Sequence, residues 1–432
     1  MIKNILAKLG ITALNKMQQE ARNTSIERDL VLISPTGSGK TLAFLLPLLH
    51  VLDKEAKGVQ AIILVPSREL ALQIEQVFRK MDTGFRINCC YGGHPIKIEK
   101  NNFIEPPAVI IGTPGRLAYH VRHENFNSAN IHLLILDEFD KALEFGFQED
   151  MSFIIHNLPS LTRRILTSAT EMTDIPAFTG VKNAIELDFS KDIESVPTLK
   201  LRAVRTRSAD KVDTLYSLIC HIGLKPTLIF CNHREAVERI SEHLIKKEVS
   251  HDVFHGGMAQ EEREKALIKF RNGTNNLLIT TDLASRGLDI QGIEFIVHYQ
   301  MPSEEAFIHR NGRTARMHAS GTVFLILSEE EFPKFIKEEI ENEELPEKVE
   351  HPGQTDWVTI YFGAGRKDKI NKMDIAGVLM KKGGLQKEEI GLIEVLDFSS
   401  FAAVKRKKAG ATVQLLGREK IKNKKITIEE AR

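Results

Sequence analysis

Cysteine is scarce in this sequence. Four occur in 432 residues, at Cys89, Cys90, Cys220 and Cys231, with no CxxC or other metal-ligand spacing among them. That excludes a disulfide scaffold and a cysteine-held structural zinc, and makes a reduced, cytoplasmic setting the expectation. The adjacent Cys89 and Cys90 read as strand residues. Long apolar runs are missing too. None reaches the ~18 residues of a membrane-spanning helix, and the longest, residues 42–49, contains Pro47. The first residues carry Lys3 and Lys8 but no extended apolar core or small-residue cleavage site, so no signal peptide is expected. Low-complexity tracts and short repeats are absent. Nor does one charge dominate: 59 Lys and Arg face 58 Asp and Glu.

What is there is a soluble globular composition, 42% apolar and 27% charged, in a chain long enough for two or three domains. The near-zero net charge hides an asymmetry. Residues 357–432 hold 17 Lys and Arg against 9 Asp and Glu, a net of +8, which leaves the rest at 42 against 49, a net of −7. A small basic domain on an acidic body is a footprint of nucleic-acid binding, although charge alone fits a merely soluble basic domain as well.

Residues 29–197 alternate short apolar runs with helical patterns. Strands are predicted over 29–33, 61–65, 109–112, 133–136 and 164–167. Continuous apolar runs mark parallel strands covered on both faces, hence an open α/β sheet. The pattern restarts after about residue 196, with strands over 227–230, 252–254, 276–280, 295–298 and 321–326. The join at 190–197 reads as a hinge, and residues 338–356, acidic and then Pro/Gly-bearing, as a linker by composition. The expected domains are 1–196, 197–345 and 357–432, with 346–356 between the last two. The third has the order strand, basic turn, helix, strand, strand, helix, strand, which suits a small α+β RRM-like sandwich.

Three segments carry chemistry. Ser34-Pro-Thr-Gly-Ser-Gly-Lys-Thr41 lies between a predicted strand and helix. Thr36, Gly37, Ser38 and Gly39 form a tight turn whose amides face phosphate oxygens. Lys40 reaches the β- and γ-phosphates, and the Thr41 hydroxyl ligates Mg2+. Leu133-Leu-Ile-Leu-Asp137-Glu138-Phe139-Asp140 is a buried strand ending in carboxylates. Asp137 is expected to hold Mg2+, partly through water, and Glu138 to polarise an attacking water, while Asp140 is better placed to bridge loops. In His309-Arg-Asn-Gly-Arg-Thr-Ala-Arg316, arginines recur every three residues along one side of a helix or turn. Such guanidinium groups stabilise charge on a γ-phosphoryl group, and ATP held between two domains is the expectation.

With these segments in place the chain resembles the DEAD-box ATP-dependent RNA helicases over residues 10 to about 330. The resemblance implies two tandem RecA-like domains, ATP and Mg2+ as cofactors, and RNA as partner. It places Gln18 as the adenine reader and Asp289 at the nucleotide ribose, with Lys40, Asp137, Glu138, Arg313 and Arg316 as the catalytic set. It implies coupling roles for Ser168, Thr170, Asp140 and His309. It also implies RNA-backbone contacts by Arg68, Gly93, Thr113, Arg116, Gly256, Arg263 and Thr281. None of these reads base edges, so the core is expected to bind RNA without sequence preference.

The sequence departs from the family pattern in places. Phe139 replaces the usual alanine and adds bulk beside the carboxylates. Leu14-Asn15 replaces Pro-Thr in the glutamine motif, and Asn311 and Ala315 replace an aliphatic residue and a glycine. Residues 357–432 resemble the RNA-binding domain of DbpA-type helicases, which implies a large-subunit ribosomal RNA hairpin as target. Ser399 and Val404 stand where aromatics are usual, so weak base stacking by Phe401 is expected, with binding through Arg366, Lys367, Lys369, Lys405 and Arg406. A monomer that unwinds short RNA duplexes in ribosome assembly is the leading expectation. An ATP-gated RNA clamp or RNP remodelling factor, and a DNA translocase, are the alternatives.

Overall fold

The computed structural model describes residues 2–35, 37–93, 95–172, 174–190, 199–206, 210–285, 292–312, 321–336, 340–417, 419–422 and 424–431. They fall into two compact units parted near residue 197.

In the first unit, seven strands form one parallel sheet: β1 Leu30–Ile33, β2 Ala61–Leu64, β3 Ile87–Cys90, β4 Val109–Gly112, β5 Leu133–Leu136, β6 Arg163–Ser168 and β7 Ile185–Asp188. Their order is β3-β4-β2-β5-β6-β1-β7. Alternate strand residues feed two cores. Leu30, Leu32, Ile63 and Ile135 pack against the helices Lys40–Val51 and Arg68–Met81, and Val31, Ile33, Leu64 and Leu136 against Pro114–Arg122 and Gln148–His156. Apolar residues thus lie on both faces of the sheet, as parallel sheets require.

The second unit begins with a similar sheet of β8 Leu199–Thr206, β9 Thr227–Phe230, β10 Asp252–Phe254, β11 Leu277–Thr280, β12 Phe295–His298, β13 Gly321–Ser328 and β14 Glu341–Asn342. The order is β10-β11-β9-β12-β13-β8-β14, with parallel pairing throughout. The acidic segment read as linker therefore starts with an edge strand, and Glu343 beyond it pairs with Arg202 and with His221 at 3.0 Å.

The last part of this unit is an antiparallel sheet of β15 Trp357–Phe362, β16 Ile390–Val395, β17 Ser400–Lys405 and β20 Ile428–Glu430, in the order β16-β17-β15-β20. A two-stranded ribbon, β18 Lys420–Ile421 and β19 Lys424–Lys425, precedes β20. Val358, Ile360, Phe362, Ala402 and Val404 pack inward on the helices Lys372–Lys381 and Arg406–Leu416.

The opposite face of this sheet is covered as well. Thr359 is fully buried. Its hydroxyl accepts from Asn272 Nδ2 at 3.0 Å and lies 2.7 Å from the Thr274 hydroxyl, and Arg271 pairs with Glu394 at 3.4 Å. The small domain is docked, sheet face first, on the end of helix Gln260–Arg271 and the turn after it.

Candidate functional site

Parallel strands open their loops at the C-terminal edge of a sheet, and strand order decides which loops meet. In the first sheet β5, β6 and β1 are neighbours. Their loops bring together residues 34–35 and 37–41, 137–140 and 168–170, segments separated by about thirty to over a hundred positions in sequence. Gly37 and Gly39 have φ of 86° and 92°, a left-handed backbone that a residue with a Cβ resists. A Cβ on Gly39 would also sit 2.5 Å from Gln18 Nε2. Ser34 and Ser38 hydroxyls join at 2.7 Å, and Lys40 Nζ donates to the carbonyls of Ser34 at 2.5 Å and Ser168 at 3.3 Å. Thr41 follows in the first turn of the helix.

The unusual Asn15 caps the helix Lys16–Arg22 by accepting from Gln18 N at 2.9 Å, and its Nδ2 donates to Ser38 O at 2.9 Å. Gln18 closes the capping box and donates to Gly39 O at 3.2 Å. Asparagine supplies here both a cap and a tether to the phosphate loop.

Asp137 and Glu138 are buried. Burial pushes the Asp137 carboxyl above its ordinary range, opposed by the hydrogen bond from the Thr167 hydroxyl and by the Lys40 charge. Glu138 has φ 47° and ψ 51°, left-handed for a residue with a side chain, and its amide donates to Thr167 Oγ1 at 3.2 Å. Such strain persists only where the surroundings enforce it, and it gathers at functional sites. Thr170 Oγ1 donates to Asp140 at 3.3 Å, and Ser168 Oγ donates to Thr170 O at 2.7 Å. Phe139 does not add bulk beside the carboxylates. It is fully buried in the core, with its ring 6.3 Å from that of Phe178.

The other half of the same edge, β2-β4-β3, carries Arg68, Gly93, Thr113 and Arg116. Arg68 begins the helix after β2, and its Nη1 donates to Gly92 O at 3.0 Å. Gly93 has φ 87°, and Thr113 stands at the N-cap position of the helix Pro114–Arg122 without a capping bond from its side chain. Arg116 Nε donates to Tyr91 O at 3.1 Å. Beneath them lie Glu99 and His120, which the sequence reading missed. Both look like surface residues in a polar stretch, and no spacing rule marks them.

In the second unit the loops after β9, β10 and β11 border a recess of about 530 Å³ lined by Asn232, His233, His255, Gly256, Thr281 and Asp282. Arg263 is buried in the helix Gln260–Arg271, and His309 in Glu304–Asn311, 3.9 Å from Glu305. Arg310 turns inward to pair with Asp282 at 2.6 Å and Asn232 at 2.9 Å, over the Phe230 ring. Asn311 accepts from His298 Nε2 at 2.9 Å. Thr36, Asp289, Arg313 and Arg316 lie outside the described residues.

In the small domain Arg366, Lys367 and Lys369 form a tight turn beside the β16–β17 loop. Gly365 is required there, because a Cβ would sit 2.3 Å from Leu396 O. Two expectations need correction. Phe401 is not an exposed stacking platform. It is 4% exposed, edge-on to Tyr361 at 5.5 Å, on the sheet face turned to the preceding domain. Arg406 is spent on carbonyls: it donates to Thr355 O at 2.6 Å, Trp357 O at 3.0 Å and Thr274 O at 3.3 Å. Lys405 lies over the Trp357 ring at 4.3 Å and pairs with Asp356 at 3.4 Å.

Comparison with known proteins adds to this geometry. Family models match residues 15–176 (DEAD/DEAH box helicase), 210–318 (helicase conserved C-terminal domain) and 359–430 (DbpA RNA binding domain). The chain is 28% identical over 467 residues to the ATP-dependent RNA helicase DbpA of Bacillus subtilis, across 100% of this chain and 97% of that one. It is 33% identical over 299 residues to the ATP-dependent RNA helicase eIF4A of Mycosarcoma maydis, across 68% of this chain and 73% of that one. The solved structure of S. cerevisiae Dbp5 bound to RNA and ADP BeF3 superimposes with a TM-score of 0.68 at 27% identity, covering 75% of this chain and 86% of that one.

Proposed function

We propose that this chain, which belongs to the DEAD-box family of ATP-dependent RNA helicases and carries a DbpA-type RNA-binding domain, separates short RNA duplexes in large-subunit ribosomal RNA during ribosome assembly. One observation supports the reading most. A single sheet edge carries the phosphate cradle and buried carboxylates on one half, and the arginine-bearing loops on the other. Nucleotide and RNA backbone would then be held by one rigid element.

In this reading the amides of Gly37, Ser38 and Gly39 and the Lys40 ammonium hold the phosphates, and Gln18 and Asp289 hold the adenine and ribose. Glu138 orients and deprotonates the attacking water. Arg313 and Arg316 stabilise charge on the γ-phosphoryl oxygens. Thr41 and Asp137 offer the hard oxygen donors that Mg2+ takes, and burial has left Asp137 where a neighbouring cation favours its ionised form. Mg2+, when bound, neutralises charge on the phosphates. Ser168, Thr170, Asp140 and His309 pass the state of the phosphates to the RNA loops.

The chain acts as a cytoplasmic monomer, and the turn at Arg366, Lys367 and Lys369 places the core on its ribosomal RNA hairpin. ATP-dependent strand displacement on a short RNA duplex, absent in Lys40→Ala, tests the reading. ATP-dependent retention on RNA without displacement replaces it with an RNA clamp. Crosslinking in cells followed by RNA sequencing names the RNA, and a set lacking large-subunit ribosomal RNA removes the assembly role.

A further inference from the structure

We infer that Glu99 is the positioning residue of the RNA-facing half of the first sheet edge, an inference that rests on the RNA-binding reading above. Glu99 sits in the short helix Ile96–Asn102 after β3 and is 1% exposed, so it touches no RNA itself. Its carboxylate gathers three donors. The Tyr91 amide donates to Oε1 at 3.2 Å, His120 Nε2 lies 2.7 Å from Oε2, and Arg116 Nε lies 3.5 Å away. Asn125 Nδ2 donates to His120 Nδ1 at 3.0 Å, which leaves the ring proton on Nε2, facing the carboxylate. His120 is itself fully buried, edge-on to the Phe103 ring at 5.1 Å.

These bonds converge on the loop Tyr91–Gly93. Glu99 holds the Tyr91 amide from below. Arg116 binds the Tyr91 carbonyl at 3.1 Å, and Arg68 binds the Gly92 carbonyl at 3.0 Å. The glycine loop and both arginines therefore form one hydrogen-bonded unit, and the buried carboxylate orients two of its three parts. A planar guanidinium binds phosphate well only when its plane is correctly turned, and fixing Nε fixes that plane. Cys90 beside the pair gives a Cys–Glu–His set that in composition suits zinc. A divalent cation there would face the Arg116 charge, and burial and the Glu99 charge push the Cys90 thiol well above its ordinary range.

The test uses the full chain and a fluorescein-labelled single-stranded oligouridylate. Glu99→Ala is expected to raise the RNA concentration for half-maximal ATPase stimulation about tenfold, the loss of one buried charged hydrogen-bond centre, with ATP KM changed less than about twofold. Glu99→Gln, which still accepts from Tyr91 but turns an NH2 group toward the His120 and Arg116 donors, is expected to recover only part of that loss. Glu99→Asp keeps the charge but withdraws it from the loop, and is to show the same RNA-selective defect even if the alanine variant fails to fold. Glu99→Asp binding RNA as wild type does, or variants losing ATP and RNA affinity in proportion with no rescue by glutamine, overturns the inference. Absence of RNA stimulation in the wild type instead removes the reading on which it rests.

Discussion

At the residue scale the site is held against the fold's own preference. Asp137 is buried, and its carboxyl is raised. An acid raised in the folded state favours folding while protonated, and that support is lost as pH climbs past its unfolded value near 3.8. Asp137→Asn should therefore raise the melting temperature of the nucleotide-free protein by a few degrees at neutral pH while abolishing ATP turnover. Calorimetry and a phosphate-release assay check the two halves separately. Phe139 behaves oppositely. Replacing it with the alanine usual in the family empties a core position against Phe178 and should cost about 3–5 kcal/mol in a urea melt. A loss below about 1 kcal/mol would show that the pocket collapses around the smaller side chain.

At the element scale, ends and edges matter more than interiors. The helix Glu304–Asn311 is locked at its C-terminal end by Arg310 on Asp282 and by Asn311 on His298. His298 lies between the rings of Phe230 and Phe307. Burial, then the Arg310 charge, push it down from 6.5 to about 3. The unfolded chain takes up a proton below pH 6.5 that the folded chain refuses until about 3. Stability is therefore full above 6.5 and falls through that window by up to about 1.4 kcal/mol per pH unit. His298→Gln, which keeps a donor for Asn311, should flatten this slope in denaturant melts between pH 6.5 and 4; an unchanged slope would place the titration elsewhere.

The central strands of both large sheets were legible because continuous apolar runs leave few alternatives. β7, β8 and β14 were not. β8 carries Lys200, Arg202 and Arg205, and β14 is Glu341–Asn342, so each reads as polar until a neighbouring strand supplies its hydrogen bonds.

At the scale of the whole molecule, the docked small domain changes what its surface can do. Its sheet face is closed by Thr359, Asn272 and Thr274, and Arg406 staples Thr355 and Trp357 to Thr274. Arg406→Ala takes the side-chain donor from the Thr355 carbonyl and leaves the Thr274 and Trp357 carbonyls to the Thr355 hydroxyl alone, and should cost about 1–3 kcal/mol. It should also speed tryptic release of the small domain; proteolysis at the wild-type rate would mean that the staple is dispensable. Lys367→Ala with Lys369→Ala should weaken RNA binding by the full chain several-fold without speeding proteolysis, and equal binding would move the RNA contact to another face.

The phosphate cradle, the carboxylate strand and the order of the helicase segments could be read from the chain alone, because strand–loop–helix chemistry depends on adjacent residues. The fate of Arg310, Arg406 and Phe401 could not. Whether a cation or a ring meets a ligand or a neighbouring carbonyl depends on what folds over it, and the covering residues lie tens to over a hundred positions away. Glu99 follows the same rule: it became a candidate only when β3 and β4, side by side, brought Tyr91, Arg116 and His120 around one carboxylate.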